Sequence, residues 1–344
     1  MKKYFIGIDF AKVKFDAVIL RRGELNCEGI HSTFENNEKG YKRLVRWAKV
    51  HASKQTDEIL FCGECTGVYS KLISDLLAKN GLSIWLENPL QIKRSLGIKR
   101  GKNDKQDAHD IAEYAARHED KARLHSAPSP EMEALSLYFA SYKSWVELKH
   151  KLQCALNAHR IAGADNTFFK PEIKKEEKEL KHVNEKIKEL KQKIEEIAKQ
   201  CPEIKENYDI LTSMKGIGPI NAIALILATD NFMRFDYDAR RICSYYGIAP
   251  FEHTSGSSIN GKPHVSHLAD SYLKSLISEA ALCAMCHCPA ITKYAKRLRE
   301  KGKHKSIILN NCKNKMLHIL MAMVKHKTKY GQSAPIAPIA PIAA

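Results

Sequence analysis

Two acids in this chain close runs that are otherwise apolar. Asp9 ends Tyr4-Phe5-Ile6-Gly7-Ile8, and Glu64 ends Ile59-Leu60-Phe61-Cys62-Gly63. Asp104 and Asp107 stand three apart at the head of a helical pattern, and residues three apart share a helix face. Carboxylates gathered at one point repel one another until a cation neutralises them. Hard oxygen ligands with little Cys or His suit Mg2+ or Mn2+. Asp9, Glu64, Asp104 and Asp107 would then be a metal tetrad, and the chemistry it implies is phosphoryl transfer. Two metals about 4 Å apart can activate the attacking oxygen and stabilise the leaving one. Asp104 also has a second reading as a helix N-cap, and Asp107 as a first-turn partner of the helix dipole. Asp9, at the end of so apolar a strand, is harder to read as structural.

Three further stretches carry polar chemistry. Between Glu64 and Asp104 lies Gln91 to Lys102, where Lys93, Arg94, Lys99, Arg100 and Lys102 would draw phosphates if the stretch lies beside the acids. As a solvated loop it would only balance neighbouring charge. Gly216-Ile217-Gly218-Pro219, set between apolar helical runs, resembles a helix-hairpin-helix turn. In such a turn Gly216 and Gly218 let backbone amides approach a phosphate; a plain interhelical turn is the alternative. Thr254-Ser255-Gly256-Ser257-Ser258 offers hydroxyls on a flexible segment, any one a possible nucleophile or merely part of a loop.

The elements that must position these groups follow from hydrophobic periodicity. Residues 4–9, 14–20 and 29–34 read as a three-stranded meander. A helix at 38–50, strand at 58–63, helix at 69–79, strand at 83–87 and helix at 104–117 follow. The order βββαβαβα suits a mixed sheet covered by helices, an α/β ribonuclease-H-like (RuvC-like) fold over residues 1–127. Ala127-Pro128-Ser129-Pro130 marks a boundary, since prolines lack amide donors and restrict the residues before them. Beyond it, residues 128–200 read as a helical coiled-coil arm, with Leu180, Val183, Ile187, Leu190, Ile194 and Ile197 at alternating three- and four-residue spacing. The break near Gly163 makes an antiparallel hairpin whose seam closes on itself or on another subunit. Residues 201–330 read as a mainly α third domain, and 331–344, an Ala-Pro-Ile repeat, as a disordered tail.

Lys plus Arg number 56 against 39 Asp plus Glu, a net charge of +17, so a polyanion is the natural partner. No apolar run reaches the roughly 20 residues that span a bilayer, and the chain is expected to have no membrane partner. Met1-Lys2-Lys3-Tyr4 leads into a strand pattern without a signal peptide, and the ten cysteines are irregularly spaced, so a reducing cytoplasm is expected. Cys62-x-x-Cys65 and Cys283-x-x-Cys286 invite a zinc reading, but one falls at a strand end and the other inside a helical run.

Taken in order, Gly7-Ile8-Asp9 with Lys12, Glu64-Cys65-Thr66-Gly67-Val68-Tyr69, Asn88-Pro89, Asp104-x-x-Asp107-Ala108, Gly216-Ile217-Gly218, Gly247-x-x-Pro250 and Ser255-Gly256 span most of the chain. This series resembles the DEDD transposases of the insertion sequence 110 and 1111 group and their relatives, the Piv DNA invertases. The resemblance implies that Asp9, Glu64, Asp104 and Asp107 hold the metal and that Ser255 attacks the DNA strand. It also implies that the two domains meet across subunits of a homo-oligomer, a dimer or tetramer. It further implies a structured non-coding guide RNA that pairs with donor and target DNA, and a nucleoid-associated enzyme. Lys215 stands where the family commonly has proline, and Val265 to Asp270 replaces the usual Ser-Lys-x-Gly-Asn run. The rival readings are a Holliday-junction resolvase or nuclease using the same acids with water, and a non-catalytic nucleic-acid-binding assembly protein.

Overall fold

The computed structural model describes residues 1–24, 27–95, 97, 103–163, 166–255, 259–266 and 268–332, in a chain that divides into two compact units, Met1–Ser129 and Pro130–Ala344. In the first unit, β1 (Tyr4–Phe10), β2 (Lys14–Arg21) and β3 (Ile30–Glu35) form an antiparallel meander. α1 (Glu38–His51) follows, then β4 (Ile59–Glu64), α2 (Val68–Lys79), β5 (Ile84–Glu87), α3 (Pro89–Ser95) and α4 (Asp104–Arg117). β4 and β5 join in parallel on the far side of β1, so the sheet order is β3-β2-β1-β4-β5. This is the mixed sheet the sequence pattern predicts. α3 is an addition: the Asn88 side chain accepts the Leu90 amide at 2.9 Å, and the helix is pinned by buried Ile92.

Strand alternation sorts the side chains onto two faces. Ile6, Ile8 and Phe10 of β1 pack with Phe15, Ala17 and Ile19 of β2 and with Ile59 and Phe61 of β4, covered by Leu44 of α1 and by Ile73 and Leu77 of α2. On the opposite face Phe5, Leu60, Cys62 and Trp85 meet Ile92 of α3 and Ile111, Tyr114 and Ala115 of α4. Val18 and Leu20 of β2 meet Ala108 and Ala112 of α4 on that face too. α4 lies almost on the β1 backbone. A Cβ at Gly7 would stand 2.1 Å from the Ala108 carbonyl oxygen and 2.3 Å from the Ala112 nitrogen, so only glycine admits the helix there.

The second unit begins with two long helices, α5 (Pro130–Ala162) and α6 (Lys170–Gln200), which fold back on each other as a hairpin. At its bend the His159 ring nitrogen lies 2.7 Å from Glu176, and Arg160 donates to Glu177 at 2.7 Å. Along α6, Val183, Leu190, Ile194 and Ile197 are buried, while Leu180 and Ile187 are half-buried. The rest comprises α7 (Pro202–Thr212), α8 (Pro219–Ala228), α9 (Ala239–Tyr245), β6 (Pro250–Ser255), β7 (Ile259–Val265), α10 (Ser271–His287), α11 (Pro289–Glu300) and α12 (Lys305–Lys325). One apolar cluster joins the helices α7 to α12, and Leu135 of α5 and Ile194 of α6 belong to it, which roots the hairpin in the globular part.

The third domain is mainly helical, as expected, but the Ser255 stretch that reads as a loop begins as a strand: Ser255 ends β6, which pairs antiparallel with β7 in a two-stranded sheet. The run Pro250-Phe-Glu-His-Thr-Ser lacks an apolar alternation, and its one large apolar residue, Phe251, is 48% exposed, so the sequence pattern does not announce the strand. Among the described residues no single helix is long and apolar enough to cross a membrane. The expected tail, apart from Gly331 and Gln332, lies outside the described residues.

Candidate active site

Asp9 sits one residue before the end of β1, and Glu64 is the last residue of β4. The parallel register pairs Ile8 with Gly63, so Asp9 and Glu64 follow one another across neighbouring strands, which run about 4.8 Å apart. By alternation both fall on the α4 face, with Phe5 and Gly7 behind Asp9, and with Leu60 and Cys62 behind Glu64. Asp104 is the first residue of α4 and Asp107 lies in its first turn. Because Gly7 seats Ala108 on β1, that turn begins over the same end of the sheet. Asn103, whose side-chain oxygen accepts the Lys105 amide at 3.1 Å, is the helix cap, which removes the capping reading of Asp104.

Two acids missed at the sequence level extend the row. Asp16 of β2 is paired directly with Asp9, and Glu87 of β5 directly with Glu64; both fall on the α4 face. Asp16 is buried, accepting from Thr33 Oγ1 at 2.6 Å and lying 2.7 Å from His31 Nε2. Burial works against its charge, but bonds from Thr33, His31 and Lys14 prevail and hold its pKa below the ordinary carboxylate value. Glu87 accepts from the Tyr114 hydroxyl at 3.2 Å. Lys14 spans the row, 3.4 Å from Asp16 and 3.2 Å from Asp104. Its own pKa is raised, first by the hydrogen bond to Asp104 and then by the charge of Asp16.

This donor set fits a hard divalent cation. It is made of carboxylates, and a cationic side chain already lies against its rim. Cys62, the thiol nearest in sequence on the same face, is fully buried, and burial drives its pKa far up, so it supplies no thiolate. Among the described residues, the group whose three ligand atoms all lie within 4.8 Å of one another is His109, Asp110 and Glu113 of α4, and the four predicted acids do not reach that spacing. The α4 group is engaged by the protein itself. Gln106 donates to Asp110 at 2.7 Å, Arg117 pairs with Glu113, and His109 Nε2 lies 2.9 Å from the Cys27 carbonyl.

Lys93 and Arg94 are exposed in the last turn of α3; Lys99, Arg100 and Lys102 lie outside the described residues. Gly216 has φ +105° and packs on α10, where a Cβ would stand 2.8 Å from the Ala280 carbonyl oxygen and 2.9 Å from the Ala284 nitrogen. Its lack of a side chain is thus required by packing. Gly218 precedes α8 with open space around it. Ser255 pairs through its backbone with Ile259, and Thr254 with Asn260; Ser257 and Ser258 lie outside the described residues.

A mixed sheet that lines up carboxylates across its strand ends, joined to a separate helical unit, defines a class: a nucleic-acid enzyme built on a ribonuclease-H-like frame. Comparison with known proteins makes this specific. Residues 6–160 match a transposase profile of the DEDD IS110 type, and residues 208–296 match the profile described as "Transposase IS116/IS110/IS902 family". The chain belongs to this transposase family, whose DEDD domain implies a RuvC-like fold for the first unit. Over 338 residues it is 28% identical to the pilin gene-inverting proteins of Moraxella bovis and Moraxella lacunata, covering 96% of this chain and 98% of each relative. It is also 31% identical over 126 residues to an uncharacterized 43.6 kDa protein of insertion element IS110 from Streptomyces coelicolor, covering 37% of this chain and 31% of that protein. The chain is a DNA recombinase of the transposase type.

Proposed function

We propose that this protein moves an insertion sequence by cutting and rejoining DNA, with Asp9, Glu64, Asp104 and Asp107 holding Mg2+ or Mn2+ and the Ser255 hydroxyl as the attacking group. The observation that carries the proposal is the register of β1 and β4, which sets Asp9 beside Glu64 on the face that the first turn of α4 overlies. Metal bound to such oxygens supplies Lewis acidity to a phosphodiester. Attack by Ser255 forms a serine–phosphate ester and breaks a phosphorus–oxygen bond to deoxyribose, whose oxygen leaves with a proton. Rejoining reverses the exchange on a second strand end. Phosphate-bond energy is conserved in the protein–DNA ester, so no nucleotide cofactor is required.

DNA donor and target are the substrates in this reading, and a structured RNA encoded by the element chooses the sites by pairing with both. The RNA rests on the family resemblance; the net charge of +17 agrees with polyanionic partners. A homo-oligomer assembled through the α5–α6 arm as a coiled coil brings serine and metal together. Its support is Leu137 and Leu148, 63% and 40% exposed, which stand three turns apart on α5 and share a face. Gly216-Ile217-Gly218 would act as a helix-hairpin-helix contact to the DNA backbone, with Lys93, Arg94, Lys99, Arg100 and Lys102 as phosphate contacts beside the acids. The enzyme would work in the cytoplasm, at the nucleoid.

The test is Asp9→Asn and Ser255→Ala, each assayed for excision and insertion with native element ends and for a covalent protein–DNA adduct. Loss of both reactions in both variants, with the adduct absent from Ser255→Ala, is expected; full activity in either variant refutes the role assigned to that residue. Strand cleavage that survives Ser255→Ala would instead identify a nuclease or resolvase that uses water. The near-full-length match to pilin gene-inverting proteins favours a second outcome of the same chemistry, inversion of a segment between two sites on one DNA, which a two-site plasmid substrate distinguishes from insertion.

A further inference from the structure

Lys313 of α12 is only 6% exposed, yet among the described residues neither it nor its neighbour Lys274 of α10 pairs with a carboxylate. The Lys313 ammonium has three donors and makes one long hydrogen bond, to Ser278 Oγ at 3.3 Å. Ser278 spends its own proton on the Lys274 carbonyl at 2.6 Å, so the hydroxyl faces Lys313 as an acceptor. Burying a charge without a counter-charge is costly, and placing a second cation beside it adds repulsion. Burial first, and then the charge of Lys274, lowers the Lys313 pKa.

The surroundings explain what could relieve this arrangement. One turn before Lys313 on the same face of α12, Asn310 donates to the Ile248 carbonyl at 2.9 Å, tying the helix to the turn between α9 and β6. In that turn Gly247 has φ +61°, and a Cβ there would stand 2.7 Å from Ala269 Cβ, 3.0 Å from the Ser266 carbonyl oxygen and 3.7 Å from Lys274 Nζ, so the second ammonium lies close to the backbone of this tightly packed turn. Two neighbouring ammonium groups, one of them buried with donors to spare and neither paired with a carboxylate among the described residues, are the ingredients of an anion site. From Pro250 the chain runs along β6 to Ser255, a path of about 17 Å at strand rise.

We propose that Lys313 and Lys274 bind a phosphodiester group of a nucleic-acid backbone, beside the turn that leads into the Ser255 strand. The assignment of the carrier as nucleic acid rests on the recombinase reading; the anion site itself rests on the lysines. A phosphate oxygen takes the unspent Lys313 donors and neutralises both cations. The contact ignores base identity, because it involves only the backbone. It fixes where the strand lies relative to the hairpin.

The test uses the full chain in a chelating buffer, so that binding is read without chemistry. The probes are a labelled DNA duplex carrying an element end, a random-sequence duplex, an RNA of equal length and inorganic phosphate. Lys313→Met is expected to weaken both duplexes by about tenfold alike and to make the plot of log affinity against log salt shallower by about one. Lys313→Arg is expected to restore the slope. Lys274→Met, at a half-exposed position, carries the same test if Lys313→Met fails to fold. A folded Lys313→Met or Lys274→Met protein that binds the duplexes with unaltered affinity and slope overturns the proposal. A change confined to inorganic phosphate, with all three nucleic acids unaffected, overturns the nucleic-acid assignment. Because these readouts need no recombination, inactive Ser255 or Asp9 chemistry would leave them intact, and the two readings fail separately.

Discussion

Substituting Gly7 by alanine puts one methyl group between β1 and α4, and its consequences can be worked from the distances. The new Cβ would stand 2.1 Å from the Ala108 carbonyl oxygen and 2.3 Å from the Ala112 nitrogen, both backbone atoms that no rotamer change can move aside. Relieving the overlap requires α4 to retreat by roughly 1 Å, and overpacking of this kind costs about 1–3 kcal/mol. The retreat carries Asp104 and Asp107 away from Asp9 and Glu64. A misplacement of about 1 Å in a catalytic group lowers rate on the order of 100-fold. The assay pairs thermal denaturation with strand cleavage of an element-end duplex. Gly81→Ala is the control: Gly81 has φ +71° with open space around it, so alanine there strains the backbone by about 1–2 kcal/mol without touching α4. Both variants are expected to lose similar stability, and Gly7→Ala alone to lose activity. If Gly7→Ala cleaves as fast as Gly81→Ala, the carboxylates of α4 do not cooperate with those of the sheet.

Gly216→Ala is expected to destabilise the second unit by roughly 2–5 kcal/mol, combining a left-handed backbone penalty with overlap on α10; urea denaturation followed by far-ultraviolet circular dichroism reads it. The acid limb of stability tests Asp75 of α2, which is buried, ion-paired to Lys71 and 2.7 Å from His125 Nε2. Burial opposes its ionisation, yet bonds from Lys71 and His125 prevail and hold its pKa below the ordinary 3.8. Its contribution is therefore complete above about pH 4 and disappears as pH falls through the lowered value, where the unfolded chain takes up the proton first. Asp75→Asn is expected to lower stability at neutral pH and to flatten its decline below about pH 4, measured by denaturant midpoints across pH.

The first unit was largely legible because each strand is an apolar run bounded by turn residues and each helix carries a clear stripe. Asp9 and Glu64 stood out by ending such runs. Asp16 did not, because β2 is buried on both faces from Phe15 to Leu20 and reads as one continuous apolar stretch in which a single acid looks incidental. Only its register opposite Asp9 gives it a place. The link from Lys14 to Asp104 joins residues 90 positions apart, which no periodicity records. The Ser255 strand was illegible for the opposite reason, since Pro250 to Ser255 carry no apolar alternation and leave no pattern to read. The helical pattern at Gly216 was visible, but its packing depends on Ala280 and Ala284 of α10, more than 60 residues downstream.

Asp16, Asp9, Glu64 and Glu87 occupy adjacent strands, and like charges set opposite each other weaken the pairing of the strands that bear them. The architecture therefore places a mechanical weakness along one end of its own sheet. An ion gripped there would act as a rivet through the fold as much as a reagent: at a hundred times its dissociation constant, a ligand confined to the native state adds about 2.7 kcal/mol. Such a protein would grow firmer when charged with metal, and its chemical readiness and its resistance to unfolding would rise together.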